Sequence, residues 1–231
     1  MAGSIMQYVL YLAVLVVLAI PLGTYMKKVM YGEKTIFSSI FTPCERIVCK
    51  VLHVQESEDM TWKQYLSSVF LFSGIGFVFL FLLQLLQGAL PGNPQGLAGT
   101  SWHLAFNTAA SFVTNTNWQS YSGESTLSYL TQAVGLTVQN FVSAATGIAV
   151  LFALIRGFTR VKAKGIGSFW VDMTRIVLHI LIPLNLVLAL LLVAGGVVQN
   201  LKPAEEVMLL EPVAVSASSE ILEDADIDLE T

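Results

Sequence analysis

Four long apolar stretches constrain what this chain can fold into. Each is long enough for an α-helix to cross the hydrocarbon core of a bilayer, which takes about 20 mainly apolar residues. The stretches are Ile5–Tyr25, Tyr65–Leu86, Leu127–Ile155 and Val171–Val198. Of the 231 residues, 55% are hydrophobic and 12% are charged, a composition that argues against a soluble domain. The sequence therefore predicts an all-α transmembrane protein with four spanning helices in a lipid bilayer.

Lysine and arginine are distributed unevenly along the chain. Between the first and second stretches lie Lys27, Lys28, Lys34, Arg46, Lys50 and Lys63. Around the junction of the third and fourth stretches lie Arg156, Arg160, Lys162, Lys164 and Arg175. The segment 88–126 contains neither residue type. Because basic residues accumulate in short cytoplasmic loops, the pattern predicts that the N-terminus and segment 88–126 lie outside the cell.

Between the second and third stretches lies a helical pattern of only half the spanning length. Trp102–Gln119 reads WHLAFNTAASFVTNTNWQ, and Thr100 or Ser101 could cap its first turn with a side-chain oxygen. A helix of about 12 residues is roughly 18 Å long and reaches only partway into the hydrocarbon. A segment too short to cross, placed between two that can cross, is typical of a re-entrant pore helix and its loop. Such loops usually belong to ion pathways.

The end of this pattern is a polar string in which threonine and asparagine alternate from Thr114 to Asn117. A cation filter that exposes peptide oxygens to one side requires successive residues to alternate between ordinary and left-handed dihedrals. After glycine, asparagine tolerates positive φ best. The pattern therefore predicts positive φ at Asn115 and Asn117, with Thr114 and Thr116 contributing carbonyl or hydroxyl oxygens.

Some of these polar residues also have a simpler interpretation. Thr114–Gln119 could be a polar turn outside the membrane, with Trp118 and Tyr121 as anchors at the interface. Gln139 and Asn140, at membrane depth in the third stretch, could either pack against another helix or line a wet cavity. The half-length helix before the string favours the pore loop over the simple turn.

Polar residues in and near the two segments rich in lysine and arginine are predicted to have simple structural roles. Asp172 and Arg175 are three residues apart, a spacing at which they are predicted to pair on one helix face. His179 is expected to be an ordinary helix residue rather than a metal ligand. Cys44 and Cys49 fall in a loop predicted to face a reducing compartment, where they are expected to be ordinary thiols.

Several quoted segments resemble a known family. They are FNTAASFVTNTNWQSYSGESTLSYLTQAVGLTVQNFVSAATGIAVLFALIRGF from Phe106 to Phe158, WKQY at Trp62–Tyr65 and WVD at Trp170–Asp172. Together they make the chain similar to the potassium-transporting ATPase A subunit family, KdpA, over most of Met6 to Asn200. The resemblance implies a potassium-transporter fold, with four membrane–pore loop–membrane repeats around one selectivity filter.

Carried over residue by residue, the resemblance implies specific roles here. Thr114, Asn115, Thr116 and Asn117 would form the first quarter of a potassium filter, and Gln119 would lie near the ion path. The implied partners are a P-type ATPase catalytic subunit, which hydrolyses ATP, and two small accessory membrane subunits in the cell inner (plasma) membrane. Since the sequence shows no Walker motif and no Asp-Lys-Thr-Gly string, we expect this non-hydrolytic subunit to bind potassium ion but no nucleotide. Nothing favours nucleic-acid binding.

With the resemblance, the chain is predicted to have five consecutive parts. These are an N-terminal transmembrane helix (1–26), a cytoplasmic loop (27–64), the first membrane–pore loop–membrane repeat (65–158), a cytoplasmic loop with the fourth transmembrane helix (159–198) and an acidic extracytoplasmic tail (199–231). The density of acidic residues after Leu201 predicts that this tail is solvated and poorly ordered.

The implied family chain is more than twice as long as this one, so we expect a truncated or partial gene product. The main interpretation is a potassium-binding and translocating subunit, or its N-terminal fragment, of an ATP-driven high-affinity uptake complex. One alternative is a homotetrameric cation channel in which each copy donates one pore loop. Another is a membrane fragment that packs but transports nothing.

Overall fold

The computed structural model describes residues 2–55, 57–160 and 165–197, with side chains from residue 5 onward. All of these belong to the first of two units, 1–201 and 202–231. Every regular element in the described part is helical, which confirms the all-α prediction. The predicted acidic tail (199–231) lies outside the described residues, as do Lys162 and Lys164.

Eight α-helices follow one another along the part of the chain that the structure describes. They are α1 (Ala2–Met30), α2 (Ser38–Val51), α3 (Trp62–Leu86), α4 (Trp102–Val113), α5 (Gly123–Thr126), α6 (Val138–Thr159), α7 (Phe169–Arg175) and α8 (Ile182–Ala194). A 3₁₀ turn, Gln87–Ala89, extends α3. A π-helical stretch, Thr131–Thr137, leads into α6, and a second, Ile176–Leu181, joins α7 to α8.

Four continuous helical segments in the described part are long and apolar enough to cross a membrane, as predicted. They run over Ile5–Met30, Trp62–Ala89, Thr131–Thr159 and Phe169–Ala194. The third begins at Thr131 rather than at Leu127, because the backbone is extended at Leu127 and the N–H of Ser128 donates to the side chain of Gln87 (3.0 Å) instead of entering a helix.

The spanning segments pack around small and aromatic side chains. Ala145, Ala149 and Ala153 of α6 recur every four residues and are buried, so neighbouring helices can approach α6 closely. Phe169 at the start of α7 is fully buried and makes edge-to-face contacts with Tyr65 and Phe72 of α3 (centroids 5.6 and 5.7 Å apart). These contacts join α3, α6 and α7 in one bundle.

The side of the bundle where α1 and α6 end and α3 and α7 begin is called the basic side. On this side, the predicted pairing of Asp172 with Arg175 is wrong. Asp172 instead receives two hydrogen bonds from Arg156 of α6 (2.5 and 2.8 Å) and one from Tyr65 (3.0 Å). Residues three apart on a helix point about 60° apart, and this difference directs Arg175 away from α6 toward Glu45 of α2 (2.7 Å).

Two buried glutamines, Gln84 of α3 and Gln87 of the 3₁₀ turn that extends it, organise the opposite side of the bundle, where the half-length helix lies. The Gln87 amide donates to the carbonyls of Ala98 (2.7 Å) and Thr126 (2.8 Å), and its oxygen accepts the N–H of Ser128. Gln84, one turn earlier, donates to the carbonyl of Ala105 in α4 (3.3 Å). One face of α3 therefore positions the chain segments before and after the half-length helix.

Candidate functional site: a pore loop

The half-length helix occurs where the sequence predicts it. α4 has 12 residues, and the Ser101 hydroxyl caps it by accepting the N–H of Leu104 (3.4 Å). Ala109 and Phe112 of α4 are buried against Leu80 of α3. The helix packs on a spanning neighbour and ends at Val113, where the polar loop begins; we use this name for Thr114–Gln119.

The backbone of the polar loop alternates in sign as predicted. Asn115 has φ +57° and Asn117 has φ +58°, whereas Thr114 has φ −83°. Among the described non-glycine residues, only His53 shares a positive φ with these two asparagines. The prediction of left-handed dihedrals at alternate positions is confirmed.

The peptide N–H groups of the polar loop turn back onto the last turn of α4. The Ser111 carbonyl accepts the N–H groups of Thr116 (2.9 Å) and Asn117 (3.3 Å), and the Ser111 hydroxyl oxygen accepts that of Trp118 (2.5 Å). The N–H of Asn115 donates to the Phe112 carbonyl (3.2 Å). Consecutive N–H groups thus form a concave nest around acceptors of α4.

The carbonyl groups of the same peptide units point the other way. In a trans peptide the C=O and N–H are on opposite sides, and no described peptide bond is cis. The N–H groups of residues 115–118 share peptide planes with the carbonyls of residues 114–117, so these four oxygens face away from α4. No described residue donates a hydrogen bond to any of them.

The threonine hydroxyls of the polar loop are engaged with the protein. The Thr114 hydroxyl lies 2.9 Å from the Ala110 carbonyl, 3.1 Å from the Ser111 carbonyl and 3.0 Å from the Thr116 hydroxyl. Of the two oxygen types that the sequence suggested, only the carbonyls are without a hydrogen-bond partner among the described residues.

Two polar side chains of α6 hold the asparagines. Asn117 donates to the side-chain oxygen of Asn140 (2.9 Å), and the Ser143 hydroxyl lies 3.2 Å from the side-chain oxygen of Asn115 and 3.1 Å from the Asn140 carbonyl. Gln139 instead lies against α3, so close to Gly76 that a Cβ there would come within 2.5 Å of its oxygen. Asn140 thus contacts the polar loop, whereas Gln139 packs against α3.

The local electrostatics around the polar loop favour a cation. The C-terminal end of α4 carries partial negative charge and points at the loop. The exposed carboxylate of Glu124 lies nearby in sequence. Hydrogen bonds from its own backbone N–H and from the Ser122 hydroxyl lower the pKa of Glu124 below its usual value, so this carboxylate is negatively charged at pH 7. Segment 88–126 has no lysine or arginine to oppose this field.

The last of the predicted site residues, Gln119, lies at the end of the polar loop. Gln119 is exposed and donates to the phenol oxygen of Tyr121 (3.1 Å). Burial raises the pKa of Tyr121, with the hydrogen bond from Gln119 acting against it, so this phenol stays neutral at pH 7. Sequence reasoning missed Ser111, although a serine in the last turn of an otherwise apolar helix is a signal that could have revealed it.

Membrane-length helices, a half-length helix packed against them and a loop whose peptide oxygens accept no hydrogen bond from the described residues define an all-α membrane protein with a candidate pore loop. Among known families, the chain matches the potassium-transporting ATPase A subunit, KdpA, over residues 9–222. The chain belongs to this family, which confirms the resemblance in its sequence.

Similar proteins come from several bacteria, and each is named a potassium-transporting ATPase potassium-binding subunit. The relative from Clostridium perfringens is 61% identical over 221 residues, which cover 96% of this chain and 38% of the relative. That from Listeria welshimeri is 59% identical over 207 residues (90% and 37%), and that from Sorangium cellulosum is 53% identical over 222 residues (96% and 38%). The chain thus spans less than two fifths of the length of these relatives.

Proposed function

We propose that this chain binds and conducts potassium as part of the potassium-binding subunit of an ATP-driven uptake complex. The carbonyl oxygens of Thr114, Asn115, Thr116 and Asn117 would replace part of the hydration shell of the ion, and Gln119 would lie beside its path. The observation that carries the proposal is the alternating backbone, which turns four peptide oxygens away from α4, where no described residue donates a hydrogen bond to them. Uncharged carbonyl dipoles of this kind suit a monovalent cation.

One loop supplies only one side of such a site. A ring that surrounds the ion needs contributions from four directions. Because the relatives are more than twice as long as this chain, we propose that the other three come from the remainder of a full-length subunit. Subunit stoichiometry tests this directly: one copy per complex supports it, whereas four copies around one pore would indicate the homotetrameric channel.

The proposed complex sits in the plasma membrane with the basic side in the cytoplasm. The relatives are named as subunits of a potassium-transporting ATPase, and the proposal gives ATP hydrolysis to a P-type catalytic partner, assisted by small accessory membrane subunits. This chain would contribute potassium binding without nucleotide. The basic residues of the 27–64 and 156–175 segments support this orientation, which also puts the N-terminus outside.

Ion uptake by the assembled complex tests the proposed site. In cells that lack other potassium uptake systems, Asn115→Ala and Gln119→Ala are each expected to lower the preference for potassium over sodium while leaving membrane insertion intact. The matched control is Gln95→Ala, which removes an exposed amide in the same basic-residue-free segment. Unchanged selectivity in both test variants would refute the assignment.

A further inference from the structure

Helix α2 has an unusual distribution of side chains, with its acidic residue inside and an apolar stripe outside. Its only acidic residue, Glu45, is buried toward the bundle. On the opposite face, Ile40, Ile47 and Val51 are 64%, 63% and 70% exposed. These three residues are seven and four positions apart and therefore form one stripe on the helix surface. In water, such an outward apolar stripe would be unfavourable.

The contacts of α2 place it beside a spanning helix rather than above the bilayer. Glu45 lies 2.7 Å from Arg175 and 3.2 Å from His179, and the Phe41 ring packs edge-on against His179 with centroids 5.7 Å apart. The two basic partners are six and ten residues into the Phe169–Ala194 span, which corresponds to roughly 9 and 15 Å along its axis. Helix α2 therefore lies alongside the first half of this span and not beyond its end.

The charges that α2 presents outward have one sign. Arg46 and Lys50 are exposed along one edge of the apolar stripe. The buried Glu45 carboxylate is already occupied by Arg175, so it does not neutralise these cations. An apolar face bordered by exposed cations matches an interface rich in anionic lipid.

We propose that α2 is an interfacial helix that docks on the lipid leaflet of the basic side. Ile40, Ile47 and Val51 insert among the acyl chains, while Arg46 and Lys50 bind the phosphate groups of anionic phospholipids. The inward Glu45 holds the helix to the fourth span through its contacts with Arg175 and His179. This interaction surface shares no residue with the proposed potassium site.

Depth-dependent quenching in vesicles tests the apolar stripe. The native cysteines would first be removed by Cys44→Ser and Cys49→Ala. A fluorophore would then be attached at Ile47→Cys or, in a separate variant, at Val51→Cys. Each labelled chain would be reconstituted in phosphatidylcholine–phosphatidylglycerol vesicles. Brominated lipid is expected to quench most of the signal at both positions. The matched control is Gln55→Cys, at an exposed polar residue beyond the helix, where aqueous iodide should quench and brominated lipid should not.

A charge-reversal variant tests the lipid class. Phosphatidylglycerol is expected to raise the thermal midpoint of the unmodified chain relative to pure phosphatidylcholine, and Arg46→Glu/Lys50→Glu should lose that shift. Arg46→Lys/Lys50→Arg, which keeps the charge, should retain it. Iodide access at Ile47→Cys in vesicles would overturn the proposal. So would protection from iodide that appears only when partner proteins are added, because the stripe would then be a protein-docking face.

Discussion

Asn115 and Asn117 adopt a backbone conformation that most side chains avoid. The left-handed region costs an ordinary L-residue roughly 1–2 kcal/mol, and asparagine less, because its short amide forms local hydrogen bonds. Here the amides bond to α6, through Ser143 and Asn140, while the nest around Ser111 holds the backbone from the other side. The conformation is therefore determined by two helices as well as by residue type.

At this scale, the two roles of Asn117 can be separated by a matched pair of substitutions. Asn117→Gly and Asn117→Val both remove the hydrogen bond to Asn140, but only glycine accepts positive φ without strain. We expect the valine variant to lose more potassium affinity, by a factor consistent with about 1–2 kcal/mol of strain. Potassium dependence of uptake by the assembled complex measures this. Equal losses in the two variants would show that the amide, and not the backbone, is what matters.

At the scale of elements, α3 supports the half-length helix α4, which leads into the polar loop. Gln87, in the 3₁₀ turn that extends α3, bonds to the segments on both sides of α4, while Gln84 bonds to α4 and the apolar face of α3 packs on it. Gly135 in the π-helical stretch allows the third span to approach α3, since a Cβ there would lie only 2.8 Å from a methyl carbon of Leu83. Three segments that are distant in sequence therefore converge on one helix.

Replacing Gln87 should disturb this convergence. Gln87→Leu leaves the Ala98 and Thr126 carbonyls and the Ser128 N–H without their partner, and each buried polar group left unpaired costs about 1–3 kcal/mol. We expect a destabilisation of about 4 kcal/mol, at the upper end for a single substitution. Thermal unfolding of the purified chain in detergent measures it, with Gln95→Leu as an exposed control. A midpoint equal to that of the control would contradict the role assigned to Gln87.

At the scale of the whole molecule, two ion pairs on the basic side differ in environment. The side chains of Arg156 and Asp172 are 13% and 3% exposed, and their pair joins α6 to α7, with Tyr65 of α3 donating to the same carboxylate. Arg160 and Asp59 are 42% and 48% exposed. Water screens the second pair but not the first, so the buried pair is the one expected to stabilise the bundle.

Removing one partner of each pair should have unequal effects. Asp172→Asn leaves the Arg156 guanidinium buried without its counter-ion, and we expect a loss of about 3–5 kcal/mol. Arg160→Gln should change stability by less than about 1 kcal/mol. The double substitution Arg156→Met/Asp172→Leu should be less destabilised than Asp172→Asn, since no unpaired charge remains. Thermal unfolding compares all three, and similar losses for Asp172→Asn and Arg160→Gln would disprove the assignment.

The sequence by itself determined the features that depend on length, periodicity and residue type. Run length identified the four spans, the short pattern after Ser101 identified α4, and the alternation of threonine and asparagine predicted positive φ at Asn115 and Asn117. These signals are local, because helix length and backbone preference depend on a residue and its near neighbours.

Only the tertiary structure decided which distant groups meet. In the folded chain, Asp172 pairs with Arg156 instead of Arg175, and Glu45 of α2 faces the bundle. Asn140 contacts the polar loop. The spacing of Asp172 and Arg175 allowed a bond within one helix, but the bidentate partner came from another span. Such pairings depend on how whole helices pack. A hydrogen bond between residues that are far apart in the chain produces no periodic pattern in the sequence, so it cannot be predicted from periodicity.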